Sequence, residues 1–158
     1  AKSFSDLDPQ LLVLACNSAT TTIISHLRSL LPCPVVGVEP VIKPLSQYRS
    51  ALALMTHVSA NSSTTSELLA RHGSHVRVFT PTGLAIAIEY NDYEQVKKNI
   101  HEIKEIVQKY QIEAVGLSCT HYPLIISSLK QAMPNVTFID PSSAVVREVV
   151  RVLKLSEI

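Results

Sequence analysis

Short, wholly apolar runs alternate along this chain with longer stretches in which apolar residues recur every three or four positions. Residues 11–15 (LLVLA) form a run of the buried-strand kind, and residues 17–31 carry Ile23, Ile24, Leu27, Leu30 and Leu31 at helical spacing. The alternation continues with a strand over 34–38, a helix over 40–49, a strand over 51–55, a helix over 62–72 closed by Gly73, and a strand over 76–79. Two helical segments follow, 83–89 and 93–110. The second is introduced by Asn91 and Glu94 in the form of a capping box, and it sets Val96, Ile100, Ile103, Val107 and Tyr110 on one face. A strand over 113–117, a helix over 122–133, a strand over 136–139 and a helix over 142–153 complete the pattern. Strands that are apolar throughout, each followed by a helix, predict a parallel sheet covered on both faces, hence an α/β fold.

Composition narrows the function classes. With 158 residues, 46% of them hydrophobic and 17% charged, the chain has material for a packed core and is not a disordered tail. Fourteen basic against thirteen acidic residues, with no basic cluster, argue against a nucleic-acid partner. No apolar stretch approaches the roughly eighteen residues of a membrane span, so no membrane partner is expected. The three cysteines, Cys16, Cys33 and Cys119, form no disulfide framework, and a reducing cytoplasm is the expected setting. Dinucleotide-binding, P-loop, serine-hydrolase and zinc motifs do not occur, so neither a cofactor nor a metal is expected.

The candidate chemistry lies in two matching signatures, LLVLACNSAT at 11–20 and AVGLSCTHYP at 114–123. Each places a cysteine at the C-terminal end of a strand, opening onto a helix N-terminus, where α/β proteins bind ligands and where a thiolate is stabilised. Asn17, Ser18, Thr120 and the backbone N–H groups that follow are donors suited to a carboxylate. With Cys16 and Cys119 on opposite faces of a small acid, one sulfur removes a proton from carbon and the other returns one, which inverts the configuration without a cofactor. Either cysteine taken alone reads first as a small buried hydrophobe, and it is the paired context that turns the reading toward chemistry. Cys33, between two prolines, has no such context and no assigned role.

ACNSAT, VVGVEPVIKP at 35–44 and LSCTHYPLI at 117–125 resemble, in the same order, the corresponding segments of the glutamate racemases in the aspartate/glutamate racemase superfamily, and the likeness covers nearly the whole chain. The resemblance implies parallel-sheet domains of the aspartate/glutamate racemase type. One is nearly complete (40–140) and one truncated (1–39 with 141–158), with Asp140 and Pro141 at the crossing. It further implies cofactor-independent interconversion of L- and D-glutamate to supply peptidoglycan, with Cys16 acting on one enantiomer and Cys119 on the other. His121 would assist Cys119, and Glu89, in GLAIAIE, resembles the supporting carboxylate. Asn17, Ser18 and Thr120 would bind the substrate, and Thr56 and Ser59, in MTHVS, fall in a stretch like the family's substrate loop. A homodimer is among the assemblies open to it.

Some family features do not occur in these 158 residues: the DSG-x-GG-type loop whose aspartate supports the first cysteine, and the proline–tyrosine–glycine loop after it. Ser18 replaces a usual threonine, and FTPTG at 79–83 replaces a segment that often holds another cysteine. The expectation is therefore a fragment with an exposed sheet edge in its first domain. Two other readings stay open: a non-catalytic truncated racemase fold, and a thiol-redox protein joining Cys16 to Cys119 in a disulfide.

Overall fold

The apolar runs ALALM and AVGLS become the strands β3 (Ala51–Met55) and β5 (Ala114–Ser118), buried at every position. They pair in parallel along their whole length, from Ala51 opposite Ala114 to Met55 opposite Ser118. β4 (Arg77–Phe79) flanks β3 and β6 (Thr137–Ile139) flanks β5, giving a four-stranded parallel sheet of order β4-β3-β5-β6. A second parallel sheet holds β1 (Leu12–Leu14) and β2 (Val35–Gly37), with Leu12 opposite Val35. This computed structural model describes residues 7–155, so the ends of the first-domain ranges, 1–6 and 156–158, lie outside the described residues. The predicted parallel α/β architecture is present, divided between two sheets.

The central strands are apolar without interruption because helices cover both faces. Leu52, Leu54, Val115 and Leu117 face the helices α5 (Leu84–Glu89), α6 (Tyr93–Tyr110) and α7 (Ile126–Ala132), meeting Leu84, Ile88, Ile103, Val107 and Leu129. The alternate residues Ala51, Ala53, Met55 and Ala114 face α2 (Ile42–Leu45) and α4 (Ser63–His72), meeting Ile42, Leu45, Leu68 and Leu69. Around the smaller sheet, α1 (Asn17–Leu30) lays Ile24 and Leu27 on β2, and α8 (Ser142–Leu153) rests against β2 without burying any of its residues fully. Among the described residues β2 is the only strand paired with β1, and Val13 on β1 is exposed.

Three local expectations change. The helix expected over 40–49 is only α2, four residues long: Pro44 in its first turn has no N–H to bond back to the Pro40 carbonyl, so the helix starts no earlier, and beyond it the chain tightens through a bond from the Tyr48 N–H to the Leu45 carbonyl before entering β3. The cap of α6 is Asp92, whose carboxylate accepts the Gln95 N–H at 3.1 Å. Asn91 instead takes the left-handed conformation (φ 56°) that reverses the chain after α5. A further short helix, α3 (His57–Ala60), follows β3, and the helix expected over 122–133 begins as a 3-10 turn, Tyr122–Ile125.

Candidate active site

Cys119 follows β5 directly and is 6% exposed. Its sulfur lies 3.8 Å from His121 Nδ1, and His121 Nε2 lies 2.9 Å from Glu89 Oε2 at the end of α5. A carboxylate against Nε2 holds the proton there, so in the neutral imidazole Nδ1 is the acceptor that faces the thiol. Burial pushes the Cys119 thiol up from its ordinary value, the His121 backbone N–H opposes this, a charge on Cys16 adds to the rise, and the Tyr122 N–H again lowers it. The influence of Cys16 on Cys119 means that a negative sulfur at one position favours a protonated sulfur at the other. Tyr122, 1% exposed, is likewise kept neutral by burial, with the charge of Cys119 adding.

Cys16 stands at the N-cap of α1, where its sulfur accepts the Ala19 N–H at 3.5 Å, and it is exposed. The next residue, Asn17, is 2% exposed. Its Nδ2 donates to the Val38 carbonyl at 3.0 Å, while its buried Oδ1 has no partner. An unpartnered buried acceptor beside a candidate catalytic thiol is costly unless a ligand donor completes it. Ser18 turns toward α3: its Oγ is 2.7 Å from Thr56 Oγ1 and 3.2 Å from Ser59 Oγ, which are themselves 3.1 Å apart. Thr56 also caps α3, accepting the Ser59 N–H at 3.2 Å.

The structure thus gathers the predicted residues into two groups, Cys119–His121–Glu89 and Cys16–Asn17 with the hydroxyl trio Ser18, Thr56 and Ser59. Thr120 occupies the turn after Cys119, partly exposed. Cys33, which carried no role, packs against the Ile24, Leu31 and Val35 cluster. A cleft of about 480 Å³ lies elsewhere, where residues 36–44 and 139–148 meet, and none of the predicted site residues lines it. Two residues that the sequence reading passed over bear on the site, Thr20 and Ser118. Both are buried hydroxyls bonded to the segment between the sheets, and their signal is a polar residue at a position where the pattern demands an apolar one.

Burial of Cys119 carries a prediction. Iodoacetamide should modify Cys16 before Cys119, and the Cys119 rate should climb only at a pH above the ordinary thiol range, read by peptide mass mapping across a pH series. Equal rates for the two at neutral pH would contradict the geometry. Since the folded value of Cys119 is raised, its contribution to stability is fully present below the unfolded value and is lost as pH rises through the folded one.

The family model described as Asp/Glu/Hydantoin racemase matches residues 1–149. The chain is 35% identical over 154 residues to the glutamate racemase of Pseudomonas syringae pv. tomato, which is 92% of this chain and 56% of that protein. It is 31% identical over 164 residues to the glutamate racemase of Aliivibrio fischeri, covering 100% of this chain and 62% of that one. The crystal structure of Escherichia coli glutamate racemase in complex with L-glutamate and the activator UDP-MurNAc-ala superposes with a TM-score of 0.79 at 26% identity, over 98% of this chain and 63% of that one. The chain therefore spans less than two thirds of the length of these relatives.

Proposed function

Because the chain belongs to the Asp/Glu/Hydantoin racemase family, we propose that it interconverts the enantiomers of glutamate by a two-base reaction between Cys16 and Cys119. One sulfur, as thiolate, takes the α-proton. The C–H electron pair passes into the carboxylate-stabilised carbanion, and the opposing thiol delivers its proton to the other face of the same carbon. Each turnover leaves the two sulfurs with exchanged protonation, reset through solvent. The observation that carries this reading is the Cys119–His121–Glu89 relay, at 3.8 and 2.9 Å, with Cys119 electrostatically coupled to Cys16. Such a reaction needs one sulfur charged and one neutral, and like-charge repulsion favours that mixed state.

The partly exposed hydroxyls of Ser18, Thr56 and Thr120 would donate to the substrate carboxylates, while the buried Ser59 supports Ser18 and Thr56 from behind and Asn17, with its unpartnered Oδ1, would turn toward the ammonium on binding. In this reading residues 1–39 and 141–158 form the Cys16 side and residues 40–140 the Cys119 side, which the seating of α8 on β2 supports. The D-glutamate formed would supply peptidoglycan in the cytoplasm. The activator UDP-MurNAc-ala named for the Escherichia coli relative supports that role. A homodimer is the proposed assembly.

The test is α-proton exchange. Incubated in deuterated water with either pure enantiomer of glutamate, the protein should erase the α-proton signal in the NMR spectrum while optical rotation decays to zero. A silent spectrum with both enantiomers would remove the activity. One observation favours a second reading, that the fold only binds a ligand: Cys16 is exposed and rides on a two-stranded sheet. That reading predicts saturable glutamate binding by calorimetry with no exchange.

A further inference from the structure

Residues 38–41 carry the chain from the smaller sheet to the larger one, and side chains from α1 and β5 grip them. At the first end the Val38 N–H donates to Thr20 Oγ1 at 3.1 Å and the Val38 carbonyl accepts from Asn17 Nδ2 at 3.0 Å. Both partners lie in the opening turns of α1, the helix that Cys16 caps. At the other end the Val41 N–H donates to Ser118 Oγ at 3.1 Å, and Ser118, wholly buried, is the residue immediately before Cys119. Between the anchors the peptide has little freedom. Pro40 has its φ fixed by the ring, and Glu39, which precedes it, is restricted to extended conformations. Gly116, two residues before Ser118 and so on the same face of β5, lets Val41 sit directly on the strand: a Cβ there would lie 2.2 Å from Val41 Cγ2.

We propose that residues 38–41 form a strut that sets the separation of the two thiols, and that Ser118 is a positioning residue acting through Val41. Asn17 adjoins Cys16 and Ser118 adjoins Cys119, so each thiol is one residue from an anchor of the strut, and slack at either anchor becomes error in the gap between the sulfurs. The inference rests on the two-thiol reading above, and its direct readout is a distance.

The experiment links Cys16 to Cys119 with bis-alkylating reagents of graded span, in a Cys33→Ala background, read by intact mass and peptide mapping. The parent should link best at one span. Ser118→Ala should blur that preference, the ratio of best to worst span falling about fivefold, the factor that one buried hydrogen bond carries. Iodoacetamide rates at each separate thiol should stay at parental values. Thr20→Val, of equal shape, removes one of the two bonds at the other end and should blur the profile in the same direction, so the outcome does not depend on one variant folding. In both variants kcat should fall about tenfold in both directions with KM little changed, since misplacement of the reacting groups acts on the chemical step. A merely structural hydroxyl would lower the melting temperature and leave the span profile sharp. If the parent, held at the alkaline pH at which iodoacetamide modifies Cys119, forms no link at any span, the facing-thiol reading fails and the strut with it. Sharp, unshifted profiles in both folded variants overturn the strut alone and leave the racemase reading standing.

Discussion

Cys16→Ser and Cys119→Ser should each abolish net racemisation in both directions while sparing slow α-proton exchange in opposite enantiomers. Inversion needs a base on one face of the carbon and an acid on the other, so losing either sulfur breaks the forward and reverse reactions alike. A serine hydroxyl is a far weaker acid than a thiol, and its conjugate base is correspondingly harder to form at neutral pH. The loss should be on the order of a thousandfold or more, within the range for removing a general acid–base group. The surviving sulfur can still take a proton from the enantiomer that presents it, exchange with solvent, and return it to the same face. Exchange without inversion, confined to one enantiomer in Cys16→Ser and to the mirror enantiomer in Cys119→Ser, is the signature of two bases. NMR in deuterated water with chiral chromatography of the product reads both quantities. Exchange of the same enantiomer in both variants, or parental racemisation in either, would rule the scheme out. Burial disfavours the Cys119 thiolate, so exchange through Cys119 should depend on His121 and Glu89.

What the chain discloses before folding follows from which interactions are local. β3 and β5 were legible because a strand covered by helices on both faces must be apolar at every position, and ALALM and AVGLS satisfy that. The Cys16 cap was legible for a similar reason: strand, cap and helix are contiguous, so LLVLACNSAT carries the whole geometry. The division into two sheets was an expectation of the family resemblance alone and could not be read from the apolar pattern, because strand pairing is decided by side-chain faces that meet across long loops, and nothing in the run at 34–38 says which neighbour it will take. The site shows the same split. Ser18, Thr56 and Ser59 were identified by resemblance, but their mutual contact closes gaps of 38 and 41 residues, which no periodicity reveals. Ser118 was passed over because a small hydroxyl at the end of an apolar strand reads as a tolerated substitution until its bond to Val41 is seen. The misplaced cap of α6 has a purely local cause. Asn91 and Asp92 are both good caps, and the choice fell to the residue left after Asn91 had been used to turn the chain.

Gly116→Ala should destabilise the fold by about 2–3 kcal/mol, the upper part of the range for overpacking a well-filled core. The added methyl would lie 2.2 Å from Val41 Cγ2 and 2.7 Å from Leu45 Cδ1, separations that real Cβ atoms do not sustain. Neither neighbour has room to retreat, since Val41 is 5% exposed and Leu45 is 0% exposed. Alanine would otherwise be preferred to glycine in a strand, because it loses less backbone entropy on folding. A destabilised variant therefore isolates the steric term. Urea unfolding measures it, and the partner substitution identifies its source. Val41→Ala alone loses packing and should also destabilise. Combined with Gly116→Ala it removes the nearest clashing methyl, so the double variant should be more stable than the sum of the two costs by about 1–2 kcal/mol, a coupling typical of residues in contact. Strict additivity would mean that Gly116 is glycine for some reason other than the seating of Val41. The strut would then rest on its hydrogen bonds to Asn17, Thr20 and Ser118 without a close fit to β5 beneath it.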